Sequence, residues 1–225
     1  MEFPEGFNQL ELLETHGHMI PVGTESAWDE DEECEDSGDD DDEGDHSEEW
    51  YLQQEQRRED NPAELMLWAA ERNRLITVER LIGSDPSLVN CRDDDGYTPL
   101  HRAAYSGHAS LLSFLLDSGA DLHARTADGW TPLHSASRWG HAAVASSLLR
   151  RGAEVNAVTE GRLTPLQLAA GNPAAGQTLE LLLSRRTLQA GLKNSAGETA
   201  SDIALRKTAH YGLFEAAEPC NSVVP

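Results

Sequence analysis

Nine histidines give this chain its largest stock of reactive groups, because an imidazole with an ordinary pKa of about 6.5 can serve as base, acid or metal ligand. Ser135 stands beside His134, and Asp128 is close to both in the chain. Such neighbours are consecutive or lie on one turn, and no third group orients a base towards a nucleophile, so they do not form a triad. Asp39, Asp41, Glu43 and Gly44 have the spacing of the first half of an EF-hand loop, but its twelfth position is Trp50 rather than Glu. Weak, nonspecific cation binding is all that run implies. Cys34, Cys91 and Cys220 are odd in number and far apart, with no CxxC pair for a disulfide framework or a zinc site. With no phosphate loop either, the sequence offers no catalytic, cofactor-binding or metal-binding residue, and the expectation is a protein that is not an enzyme and needs no cofactor.

Charge divides the chain. Residues 1–56 hold 21 Asp and Glu and no Lys or Arg, whereas residues 57–225 hold 19 acids against 17 bases. A polyanionic segment is therefore joined to a nearly neutral one. Between Trp28 and Glu49, 15 of 22 residues are acidic, and nothing there offsets the entropy of ordering; residues 1–46 are expected to be disordered. Within them, Phe7, Leu10, Leu12 and Leu13 share a helical face over 7–13, too short for an isolated helix. Good helix formers around Trp50, Tyr51 and Leu52 predict a helix over 47–61 that ends before Pro62. No apolar run reaches the ~18 residues that would span a bilayer, and no basic, apolar leader opens the chain, so a soluble, intracellular protein is expected.

Self-similarity explains the histidines. DGYTPLHRAAYSGH begins at Asp95 and DGWTPLHSASRWGH at Asp128, and Thr98, Thr131 and Thr164 keep one 33-residue period. In each unit Asp-Gly supplies a tight turn, Thr caps a helix, and Pro99, Pro132 or Pro165 takes its first position. Leu100, Leu133 and Leu166 point inwards. Small pairs such as Ala103-Ala104 admit a second, more apolar helix, which Gly119 or Gly152 ends.

TPLHxAA, followed by Gly-His and LLxxGADxxA, resembles the ankyrin repeat. The resemblance implies an all-α solenoid of helix-turn-helix units with short β-hairpin fingers, preceded by the acidic segment. Its units would be an atypical repeat at 62–93, repeats at 95–127, 128–160 and 161–195, a capping partial repeat at 196–218 and a tail at 219–225. The unit near Gly161 departs from the pattern, with Gln167 for His and Asn172-Pro173 for Gly-His, as does the partial copy from Thr199. Atypical end units suit an array whose outer faces meet water. By the same resemblance, His101, His134, His108 and His141 belong to the scaffold, and partners bind the concave face and finger tips.

Candidate contacts are therefore the Tyr, Trp and charged residues at those places: Trp68, Glu71, Arg72, Tyr97, Arg102, Tyr105, Trp130, Arg138 and Trp139. For Tyr97 and Trp130 two roles stay open, binding a partner and packing on neighbouring hairpins. Ser26, Ser37 and Ser47 have acids nearby that an acidophilic kinase would read. His123 and Asn156 each follow a Leu by eight residues and an acid by two, which resembles the pattern read by the asparaginyl hydroxylase of ankyrin repeats. The expected function is a monomeric adaptor or regulator that binds a protein on the concave face, in nucleus and cytoplasm, with a role in transcription open to it. The alternative places the function in the acidic arm, as a ligand for basic proteins or transcription machinery. Direct nucleic-acid binding is disfavoured by the lack of a basic stripe, and a membrane role by the lack of a basic amphipathic helix.

Overall fold

The computed structural model describes residues 47–217; the acidic segment with its 7–13 motif, Ser26 and Ser37 lies outside the described residues, as do residues 218–225. Among the described residues there are eleven α-helices. They are α1 (Glu48–Arg57), α2 (Pro62–Glu71), α3 (Leu75–Ser84), α4 (Pro99–Ser106), α5 (Ala109–Asp117), α6 (Pro132–Trp139), α7 (Ala142–Arg150), α8 (Pro165–Ala170), α9 (Gly176–Leu183), α10 (Ala200–Lys207) and α11 (Tyr211–Ala217). A short 3-10 turn covers Pro86–Asn90. The first helices of successive units, α2, α4, α6, α8 and α10, pack side by side, and each is backed by its own second helix. None is long and apolar enough to cross a membrane.

The caps that start these helices follow one scheme. Thr98 and Thr131 have extended backbone, and proline holds the first helical position of α4 and α6, where a missing N–H costs nothing. Leu100, Leu133 and Leu166 are fully buried, and a buried leucine contributes roughly 1.5–3 kcal/mol. Ala103, Ala104, Ala136, Ser137, Ala169 and Ala170 are also buried, because only small side chains let adjacent helices approach this closely. Two apolar clusters result. One runs from Leu65 to Leu148 and the other from Val155 to Phe214, and Leu149 packs against both, making the array continuous.

Gly107 shows how tightly the units fit. Its φ of +82° lies in the left-handed region, and a Cβ there would stand 2.6 Å from His141 Nδ1 of the next unit. The fingers are small. Asp93 N–H donates to Tyr97 O at 3.1 Å and Thr126 N–H to Trp130 O at 3.0 Å, which closes each turn. Ala127 N–H to Asp95 O (2.8 Å) and Glu160 N–H to Asp128 O (2.9 Å) then link one finger to the next.

The ends are finished differently. Helix α1 packs through its aromatics: Trp50 and Tyr51 lie 6.4 and 6.2 Å from the Trp68 ring, and Arg58 lies over the same indole. Arg74 donates to both carboxylate oxygens of Glu48 and to Glu55, and Thr77 donates to Glu55. At the far end Phe214 of α11 is buried, while Leu205 is 66% exposed at the position that holds a buried Ala or Ser in earlier units.

Candidate protein-binding site

The histidines are consumed by the scaffold. His101 Nδ1 accepts from Thr98 N–H (3.3 Å) and faces Thr98 Oγ1 (2.9 Å), while its Nε2 meets Trp130 O at 3.1 Å. His134 repeats this on Thr131, and its Nε2 meets both Ala157 O and Leu163 O at 3.1 Å. An acceptor at Nδ1 and a donor at Nε2 require the neutral ring. Burial pushes both imidazoles down to about 4, against the pull of the carbonyls they face. Gln167 offers the same pair of functions, with Oε1 accepting from Thr164 N–H (3.0 Å) and Nε2 donating to Leu192 O (2.7 Å). Asp202 closes the series: it accepts from Thr199 N–H and Oγ1, and has no donor to pass on.

A second series ties the first helices together. Nε2 of His108 meets Glu71 O and that of His141 meets Tyr105 O, both at 2.8 Å. Asn172 donates to Arg138 O at 2.9 Å, and Nε2 of His210 meets Pro173 O at 2.7 Å. His210 was not recognisable from sequence, because Thr-Ala-His has replaced Gly-His and the spacing has changed.

With the scaffold residues assigned, the candidate contacts separate into groups. Trp68 is covered by Trp50, Tyr51 and Arg58 and so is part of the N-terminal cluster. Glu71 and Arg102 face each other: Arg102 donates to Glu71 (3.0 Å) and to Asp93 (2.8 Å) and lies over the Tyr97 ring. Tyr97 and Trp130 are half-buried rather than exposed, resting on the His101 and His134 rings at 5.7 and 6.2 Å. Their rings shield the buried imidazoles, and the Tyr97 hydroxyl is held above its ordinary pKa by burial. Arg72 is half-buried at the end of α2.

Tyr105 and Trp139 remain. They project from the last turns of α4 and α6, are 41% and 46% exposed, and meet edge to face at 4.9 Å. Exposed Arg138 lies over the Trp139 ring at 5.6 Å. Two rigid aromatics and an arginine, fixed on helices, can bury an apolar or acidic partner surface with little ordering cost.

Of the proposed modification positions, Ser47 caps α1, its Oγ accepting from Trp50 N–H at 3.3 Å. Asn156 is engaged at both ends, donating to Thr187 O (2.7 Å) and accepting from Gln189 N–H (2.9 Å). Asn90 clasps Gly119 O and Asp121 N–H in the same way, whereas His123, at the equivalent place between them and exposed like Asn90, makes no such pair of side-chain bonds among the described residues. The 33-residue period was the signal that could have paired Asn90 with Asn156. Cys91 is partly buried, and its thiol is pushed up to about 11 by burial, which leaves it unreactive. Among the described residues no cluster of His, Cys, Asp or Glu could hold a metal ion.

Comparison with known proteins agrees with this geometry. The model for ankyrin repeats in three copies matches residues 65–159. Ankyrin repeat domain-containing protein 49 of Homo sapiens is 60% identical over the whole of this chain and 92% of its own length, and that of Mus musculus is 57% identical over the same shares. The Drosophila melanogaster protein of that name is 48% identical over 74% of this chain and 78% of its own length. Since the likeness extends beyond the repeats to almost the full length of its relatives, the chain belongs to the ankyrin repeat domain-containing protein 49 family.

Proposed function

We propose that this protein is a non-catalytic adaptor or regulator, monomeric and working in nucleus and cytoplasm, which holds one protein partner on its concave face. The observation that carries the reading is the Tyr105–Trp139 pair, two large rings left exposed on a face whose other conspicuous aromatics are committed to packing. Stacked repeats present such a surface preformed. Immobilised full-length protein should capture its partners, and the Tyr105→Ala/Trp139→Ala variant, with helicity checked by circular dichroism, should lose at least about tenfold in capture. Undiminished capture by the folded variant would place the site elsewhere.

A second reading rests on charge. Residues 1–56 carry 21 acids and no base, enough to attract basic proteins or elements of the transcription machinery without help from the repeats. Under that reading, capture would survive the aromatic variant and collapse as salt rises.

A further inference from the structure

At the C-terminal end of the concave face, α6, α8 and α10 enclose a cleft of about 220 Å³. Buried Leu168 and Ile203 line it, together with Arg138, Arg206, Lys207 and Glu198. Arg206 is matched, donating to Glu198 at 2.7 Å. Arg138 and Lys207 are exposed and have no carboxylate partner among the described residues. The other end of the same face differs, since Arg102 is balanced there by both Glu71 and Asp93. This local excess of cations is not a by-product of a basic chain, because residues 57–225 are slightly acidic. Unmatched like charges beside an apolar lining form a surface complementary to a ligand of opposite sign.

We propose that this cleft receives an acidic segment of the protein partner, its carboxylates meeting Arg138 and Lys207 and an aliphatic side chain between them resting on Leu168 and Ile203. The assignment deepens the concave-face reading and depends on it. A nucleic acid is the poorer fit, since two free cations in one short cleft fall well below the row of contacts a phosphate backbone uses.

The test uses full-length protein and fluorescence anisotropy with three labelled probes: a short peptide of alternating Glu and Leu, its Gln and Leu counterpart, and oligo-dT. The acidic peptide should bind, and Arg138→Glu/Lys207→Glu should weaken it about tenfold or more, while the Gln peptide should be weak on both proteins. Lys207→Gln, which leaves the Arg138–Trp139 contact untouched, should give a smaller loss in the same direction. No binding of the acidic peptide, binding indifferent to these substitutions, or oligo-dT held equally well would overturn the proposal. Partner capture keeps the two ideas separable. If Tyr105→Ala/Trp139→Ala loses the partner but the charge reversals do not, the concave face stands and the acidic ligand is withdrawn. If the aromatic variant keeps the partner, the concave-face reading fails first.

Discussion

At the third position of α4, α6 and α8 the side chain must accept a hydrogen bond from the capping threonine and donate one to the following unit. His101, through Trp130 O, His134, through Leu163 O, and Gln167, through Glu198 O, all satisfy this rule, although imidazole and amide look unrelated in sequence. They differ in titration. With folded-state values of about 4 against about 6.5 in the unfolded chain, His101 and His134 take up protons in the unfolded state first as pH falls. The contribution of these two rings to stability is therefore intact above about pH 6.5, declines between 6.5 and 4, and levels off below, where both states carry protonated rings. Each histidine accounts for up to about 3 kcal/mol of that decline. His134→Gln should fold with stability within about 1 kcal/mol of the parent at pH 7, by the precedent of Gln167, and should lose about half of the acid-side slope. Urea denaturation at pH 7, 5.5 and 4.5 measures both, and an unchanged slope would mean that His134 is not one of the titrating groups.

At the scale of the element, each unit is joined to the next by separable clasps, and one junction lacks a member. Asn90 and Asn156 each bind two backbone groups of the following unit, whereas His123 leaves its junction without that pair, beside a cavity of about 220 Å³ lined by Leu122, His123 and Glu154. His123→Asn should restore both bonds and stabilise the array by about 1–2 kcal/mol, seen as a rise in the thermal midpoint. No rise would show that Gly152 and Glu154 are not presented as Gly119 and Asp121 are. Such clasps were only partly legible in sequence. Thr98, Thr131 and Thr164 announced the helices because capping is local chemistry, written in adjacent residues. Tyr97 and Trp130 were ambiguous because their burial depends on rings of other residues folding beneath them, and His210 was hidden because Thr-Ala-His replaces the Gly-His of earlier units at a shifted spacing. The Tyr105–Trp139 pair was legible as two residues but not as one contact, since their meeting depends on how α4 and α6 are stacked.

At the scale of the molecule, a solenoid is held by neighbours alone, so its ends decide where unfolding begins. The C-terminal end tolerates water: Asp202 stops the chain of donors, and Leu205 is left exposed. The N-terminal end is built more heavily, because α2 brings the large Trp68 to a place where no earlier repeat covers it. Helix α1 supplies that cover with Trp50 and Tyr51, and anchors it through Arg74, whose bonds to Glu48 and Glu55 raise its pKa and keep it charged. Glu55 is the most enclosed charge in this network, with Arg74 at 3.0 Å and Thr77 at 2.7 Å. Trp50→Ala/Glu55→Ala should therefore free α1 and remove protection from α2 and α3, leaving α6 to α9 protected, because few contacts carry the loss past the next unit. Amide hydrogen exchange by mass spectrometry resolves this directly. A uniform loss across all units would mean that the array opens as one body, and that α1 guards the whole solenoid rather than its first repeat.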